Sequence, residues 1–100
     1  MIRVGIIGFG FMGRMHYRCW KSMKNARVAA LCDANRQACH DTGRSHGNIA
    51  GAEGEVDLSS VTVYADPDEM LAREKLDAVS ITVPTHLHAA LTVKALEQGV

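Results

Sequence analysis

Apolar positions along the chain alternate between short continuous runs and stripes of helical period. Ile2, Val4, Ile6 and Ile7 form a run that stops at Gly8, the pattern of a buried strand. Met12, Met15, His16, Cys19, Trp20 and Met23 follow at i, i+3, i+4, i+7, i+8 and i+11, one stripe of a helix whose other side carries Arg14, Arg18, Lys21 and Lys24. "RVAALCD", residues 27–33, predicts a second buried strand. Asn35 then stands where it would cap a helix running to about His46, with Gly47 as its stop. Residues 47–60 have three glycines and no period. They predict a surface loop with a short strand near Val56, long for a compact domain, where connections usually run ~4–6 residues. "VTVYA", from Val61, predicts a third strand. Asp66-Pro67-Asp68-Glu69 starts a short helix ending near Glu74, with a capping Asp, Pro in the first turn and acids at the positive end of the dipole. "LDAVSITVP" predicts a fourth strand halted by Pro84. Thr85 caps a helix from His86 to Gln98 with Leu87, Ala90, Leu91 and Ala95 on one face, and Gly99 supplies its left-handed end.

The predicted order is therefore β-α-β-α-β-α-β-α. Such alternation defines an α/β fold, a doubly wound parallel sheet with right-handed crossovers and helices on both faces. Composition narrows the picture. One hundred residues, 47% hydrophobic, make one small core, marginal for a domain standing alone. Eleven basic and eleven acidic residues cancel, so neither nucleic acid nor an anionic membrane is expected as a partner held by bulk charge. No apolar run approaches the ~20 residues that span a bilayer, and the N-terminus carries no secretory pattern. Cys19, Cys32 and Cys39, odd in number and irregularly spaced, suit a reducing compartment, and a cytoplasmic setting is expected.

Candidate chemistry begins at Gly8-Phe9-Gly10-Phe11-Met12-Gly13. A G-x-G-x-x-G alone is weak evidence, since glycine is common. Here it follows a strand and opens a helix, which is what the chemistry demands. Gly8 turns tightly out of the strand, Gly10 lets the backbone approach a pyrophosphate, and Gly13 lets the helix pack close to the sheet. The phosphates would then meet free N–H groups at a helix N-terminus. Asp33 lies twenty residues beyond Gly13 at the tip of the second strand, placed to accept hydrogen bonds from the adenosine ribose hydroxyls. Its charge disfavours a 2′-phosphate, so NAD is expected over NADP. Arg36, close enough to meet a 2′-phosphate or to stack on adenine, pulls the other way. A strand–helix turn with no ligand, and a plain helix cap at Asp33, are the bland readings of the same residues.

A second region, "TVPTHLH", residues 82–88, follows the fourth strand, and open parallel sheets bind ligands beyond the carboxyl ends of their strands. Thr82, Val83, Pro84, Thr85 and His88 are thus expected beside the glycines. His86 and His88 do not read as a metal pair, because residues i and i+2 of a helix point about 200° apart. His16, on the apolar stripe, reads as a packed, hydrogen-bonded histidine; His40 and His46 read as solvated.

These stretches resemble the N-terminal cofactor domain of the glucose–fructose oxidoreductase / inositol dehydrogenase / rhizopine catabolism (Gfo/Idh/MocA) family. The likeness is carried by "VGIIGFGFMGRMH", "VAALCD", "VTVYADPDEML" and "LDAVSITVPTHLHAALTVKALEQGV", leaving residues 47–60 as an apparent insertion. The last stretch is the most specific: Val83-Pro84-Thr85, His88, then Ala95-Leu96-x-x-Gly99. Val83 stands where many members have Thr, which weakens a hydroxyl contact there, although Thr82 remains. The resemblance implies a Rossmann-type domain, incomplete at its C-terminal end, as the N-terminal part of a longer two-domain NAD-dependent oxidoreductase, homo-oligomeric at full length. It would transfer hydride between a sugar- or polyol-like alcohol and nicotinamide. It implies cofactor contacts from Gly8, Phe9, Gly10, Phe11, Met12, Gly13, Asp33, Arg36, Thr82, Pro84, Thr85 and His88. The family's Glu-Lys-Pro base and its substrate pocket, in a second domain, would lie beyond Val100, so no catalytic residue is expected in these 100 residues. Lys94, mid-helix, reads as a solvated surface lysine. Two alternatives stay open: an NAD-dependent eliminase or glycosidase of the same architecture, and a non-catalytic NAD-sensing module.

Overall fold

The computed structural model describes residues 1–35, 39 and 60–100. Four strands, β1 (Ile2–Ile7), β2 (Ala26–Cys32), β3 (Thr62–Tyr64) and β4 (Ala78–Ile81), form one parallel sheet in the order β3-β2-β1-β4. The chain winds outward from β1 to β3, then returns past β1 to lay β4 on its far side. The gap between β1 and β4 is thus the point where the winding direction reverses, and the crevice above such a point is where open α/β sheets bind ligands.

Helices lie on both faces, as the alternation predicts. On one face α1 (Phe11–Lys21) brings Tyr17 onto Phe9, Ile6, Val28 and Leu31, joined by Cys39. On the other, α2 (Pro67–Arg73) and α3 (His88–Glu97) bring Met70, Leu71, Leu91 and Ala95 onto Ile7, Ala30, Cys32 and Tyr64. The β1–β2 register slips between Val4 and Gly5, where Val4 pairs with Val28 but Gly5 pairs with Ala30. That extra residue is why Val28 and Leu31, three apart, share a face although strand side chains alternate with period 2.

Helix ends follow their sequence signals. Asp66 caps α2, its carboxylate accepting from the Asp68 amide at 3.0 Å, with Pro67 opening the first turn and Asp68 and Glu69 at the positive end. Gly99, at φ +84°, closes α3 in a Schellman turn: the Gly99 amide donates to Leu96 O and the Val100 amide to Ala95 O, each at 3.0 Å. Thr85 does not cap α3. It opens a single 3₁₀ turn, Thr85–Leu87, whose cap Pro84 makes no side-chain bond, and α3 proper begins at His88. Of the face expected to be buried, only Leu91 and Ala95 are; Leu87 and Ala90 are exposed.

The buried face of α1 also differs from the apolar stripe. Gly13, Arg14 and Tyr17 are buried, whereas Met12, Cys19 and Met23 are exposed. Two contacts turn the helix. Gly13 must face the Gly8 carbonyl, and the Arg14 guanidinium carbon lies 5.0 Å above the Phe9 ring, a cation–π contact that draws a charged residue inward. Phe9 meets Tyr17 edge-on at 6.0 Å. His16 is packed as expected: its Nδ1 is 3.0 Å from Ser80 Oγ on β4, to which the Trp20 indole also donates at 2.8 Å. The expected helix from Asn35 to His46, the 47–60 loop with its strand near Val56, and Arg36, His40 and His46 fall outside the described residues, apart from Asn35, Cys39 and Ser60. Among the described residues no helix is long and apolar enough to cross a membrane.

Candidate dinucleotide site

The site starts where β1 ends. The Gly8 amide continues the ladder to Cys32 O at 2.7 Å, but the residue then turns at φ +94°. That conformation suits glycine, and a Cβ there would lie 2.6 Å from Thr82 O and 2.8 Å from Val83 Cγ1. The chain reaches α1 within two residues. Gly13, in the first turn, sits so close to the Gly8 carbonyl that a Cβ would collide with its oxygen. Gly10 is the opposite case: a Cβ there would have no atom of the described residues within 4 Å. Folding does not need a bare Cα at Gly10, so the space above it is free for a ligand to approach.

Gly10 is the N-cap of α1, with no side-chain cap bond and no acid in the first turn. The amides of Phe11, Met12 and Gly13 precede the first i→i−4 bond of the helix, Arg14 N–H to Gly10 O at 3.0 Å. This cluster of donors at the positive end of an 11-residue helix has the chemistry to hold a dianionic pyrophosphate. Phe11 is half-buried and Met12 exposed. Phe9 differs from its expected place beside the phosphates. Its ring is fully buried, and its amide donates to Asp33 Oδ2 at 2.7 Å.

Asp33 therefore has a structural role in the loop. Oδ2 holds the glycine turn while Oδ1 accepts the Asn35 amide at 2.9 Å. Each oxygen keeps a second lone pair, so the half-buried carboxylate can still accept from two neighbouring hydroxyls. A crevice of about 520 Å³ opens beside it, bounded by Gly8 and Gly10, Asp33 and Ala34 after β2, Ala65 and Pro67 after β3, Thr82 to Pro84 after β4, and Leu87 and Leu91. Its walls are mainly apolar, as suits a flat heteroaromatic ring.

Thr82 reaches this crevice, but its hydroxyl is directed at the protein, donating to Gly8 O at 2.6 Å with Ile7 O at 3.2 Å. Pro84 is exposed at the crevice edge, and Thr85 is exposed and does not line the crevice. His88 is half-buried, and its Nε2–H donates to Val83 O at 2.7 Å, which fixes the tautomer and the strand-to-helix turn. His86 is exposed, and among the described residues no three His, Cys, Asp or Glu side chains converge on a metal position. Lys94 is exposed, as expected, yet it stands at the crevice edge and pairs with Asp68 at 3.1 Å. Cys32 lies at the crevice floor, and no motif in the sequence marks it. Burial, and then the Asp33 carboxylate, push its thiol up to about 12, so it lies there as an uncharged, unreactive wall.

A strand, a glycine turn at the reversal of the winding, an uncapped helix N-terminus and a carboxylate one strand away define a dinucleotide-binding domain of Rossmann type. Residues 2–100 match the Gfo/Idh/MocA oxidoreductase family, described by its NAD-binding Rossmann fold, and the chain belongs to that family. Inositol 2-dehydrogenase 1 of Saccharopolyspora erythraea is 35% identical over 99 residues, covering 98% of this chain and 26% of its own length. A glycosyl hydrolase family 109 protein of a Shewanella species is 30% identical over 103 residues, covering 99% of this chain and 21% of its own. The crystal structure of myo-inositol dehydrogenase from Lactobacillus casei in complex with NAD(H) and myo-inositol superposes with a TM-score of 0.74 at 26% identity, over 97% of this chain and 26% of that one. This chain thus spans about a quarter of the length of such relatives.

Proposed function

We propose that this chain is the cofactor-holding part of an NAD-dependent oxidoreductase acting on a sugar- or polyol-like alcohol. The observation that carries the reading is the free volume above Gly10 at the uncapped start of α1, beside Asp33 and the crevice. The amides of Gly10, Phe11, Met12 and Gly13 hold the pyrophosphate, with Gly8 and Phe9 shaping the turn. Asp33 takes the adenosine ribose hydroxyls and, being anionic, favours NAD over NADP. Pro84, Thr85 and His88, with Thr82 behind them, form the wall after β4. Bound nicotinamide supplies a hydride acceptor. The protein must still supply a proton acceptor for the alcohol, and none of the described crevice residues offers one. Asp33 is engaged by two amides and Lys94 by Asp68. On this reading the base and most of the substrate pocket belong to a further part of the protein, and the 100 residues alone would bind cofactor without turnover.

The likeness to the glycosyl hydrolase family 109 protein supports a second reading, in which bound NAD is reduced and reoxidised within one turnover to drive bond cleavage. One assay separates the two. The full-length protein is incubated with NAD and a panel of inositols, aldoses and their glycosides. Stoichiometric NADH formation supports the dehydrogenase reading, and glycoside cleavage without net NADH contradicts it.

A further inference from the structure

The peptide group joining Gly8 to Phe9 is held at both ends by side chains. Its oxygen accepts the Thr82 hydroxyl at 2.6 Å, and its N–H donates to Asp33 Oδ2 at 2.7 Å. The two side chains stand at the ends of β4 and β2, the two strands that flank β1. Gly8, at φ +94°, lacks the Cβ that would otherwise restrict rotation of this peptide. A flip would turn the carbonyl oxygen towards the Asp33 carboxylate and lose both bonds. The oxygen so fixed is also the atom that a Cβ on Gly13 would strike, so its position sets how the first turn of α1 sits.

We propose that Thr82 is a positioning residue for the dinucleotide: it acts through the Gly8 carbonyl to aim the Gly10–Gly13 amides at the pyrophosphate, and does not touch the nicotinamide half. The hydroxyl is already committed. It carries one hydrogen for two carbonyl oxygens, and its oxygen lies closer to Gly8 O, at 2.6 Å, than to Ile7 O, at 3.2 Å. The Thr82 amide donates to Ile7 O at 2.8 Å, which keeps the side chain in register with the turn. Asp33 holds the other end of the same peptide, so cofactor recognition and loop geometry are joined in a single residue on that side and kept apart on the Thr82 side.

This inference rests on the cofactor reading above. The test is calorimetric binding of NAD and of ADP, which lacks the nicotinamide half, to the full-length protein and to Thr82 variants. Thr82→Val keeps the shape but removes the donor and leaves the Gly8 carbonyl unsatisfied. It is expected to weaken NAD and ADP alike, about tenfold, as loss of one buried hydrogen bond implies. Thr82→Ser, which restores the hydroxyl, is expected to bind both within about twofold of the unsubstituted protein. In turnover the Val variant raises KM for NAD about tenfold and leaves kcat within about twofold. Weakened NAD binding with unchanged ADP binding would place the hydroxyl on the nicotinamide half and overturn the proposal. So would a Val variant that binds both ligands normally, or a Ser variant as weak as Val. Should Thr82→Val not fold, Thr82→Ala is compared with Ser by the same criteria. If the unsubstituted protein shows no saturable binding of NAD, the cofactor site itself fails, and this proposal with it.

Discussion

Alanine at Gly10 and alanine at Gly13 are expected to damage the protein in opposite ways. At Gly13 the new methyl meets the Gly8 backbone oxygen, which is pinned by Thr82 and cannot swing aside as a flexible side chain would. Overpacking of this kind costs ~1–3 kcal/mol, and a rigid backbone neighbour puts the site at the upper end. Alanine regains ~1 kcal/mol over glycine as a helix former, so a net loss of about 2 kcal/mol remains. At Gly10 the methyl meets none of the described residues within 4 Å, and φ is negative, −86°. There the poorer N-cap and the stiffer unfolded chain roughly cancel, leaving a change within about 0.5 kcal/mol. That methyl would occupy the space assigned to the pyrophosphate, and NAD binding is expected to weaken at least tenfold, about 1.4 kcal/mol. Urea unfolding by circular dichroism and NAD titration by calorimetry, run on both variants, check the pair. Normal NAD binding by Gly10→Ala would refute the idea that the space above this residue is the phosphate site. A Gly13→Ala protein as stable as the parent would refute the claim that the Gly8 carbonyl is fixed.

Tyr64 donates its hydroxyl to Glu74 Oε2 at 2.6 Å, and this bond, with burial, raises its pKa from 10.0 to about 12. The folded state therefore holds the tyrosine proton more tightly than the unfolded state. The associated stability is complete below pH 10 and is lost as pH climbs through about 12. Unfolding followed across that window is expected to show a shallower decline in Tyr64→Phe than in the parent, though not a flat one, since Cys32 titrates in the same direction; equal slopes would contradict the assignment. Among the described thiols, Cys19 is exposed and Cys32 is buried with its pKa pushed up to about 12. A disulfide reagent at about pH 8 is expected to label Cys19 quickly and Cys32 only after unfolding. Comparable rates for the two, read by peptide mass, would argue that the floor of the crevice is open.

Much of this site was legible because its demands are local. A strand, a glycine turn and a helix are adjacent in sequence, and Gly8 and Gly13 sit where backbone geometry needs them. Asp33 could be placed by its distance beyond Gly13 and by the end of an apolar run. Asp66-Pro67 and Gly99 announced helix ends through short-range chemistry. What was not legible depends on contacts between strands. No pattern in the sequence says that the Thr82 hydroxyl faces Gly8, or that one Asp33 oxygen takes the Phe9 amide, because both follow from the β2-β1-β4 order. The buried face of α1 departs from the apolar stripe for a related reason. Hydrophobic periodicity favoured Met12, Cys19 and Met23, whereas Gly13 sets the helix azimuth by its fit to one carbonyl, and Arg14 is drawn inward by the Phe9 ring. Thr85 looked like a helix cap by residue type, but a 3₁₀ turn intervenes before α3.

The central claim, that these glycines and Asp33 form an NAD site, is tested most directly by titrating NAD into the full-length protein and into its Asp33→Ala variant. The account predicts saturable binding by the parent and at least tenfold weaker binding by the variant, which loses the ribose acceptor and the hold on the Phe9 amide together. No saturable binding by the parent, or equal affinity in the two proteins, would contradict it.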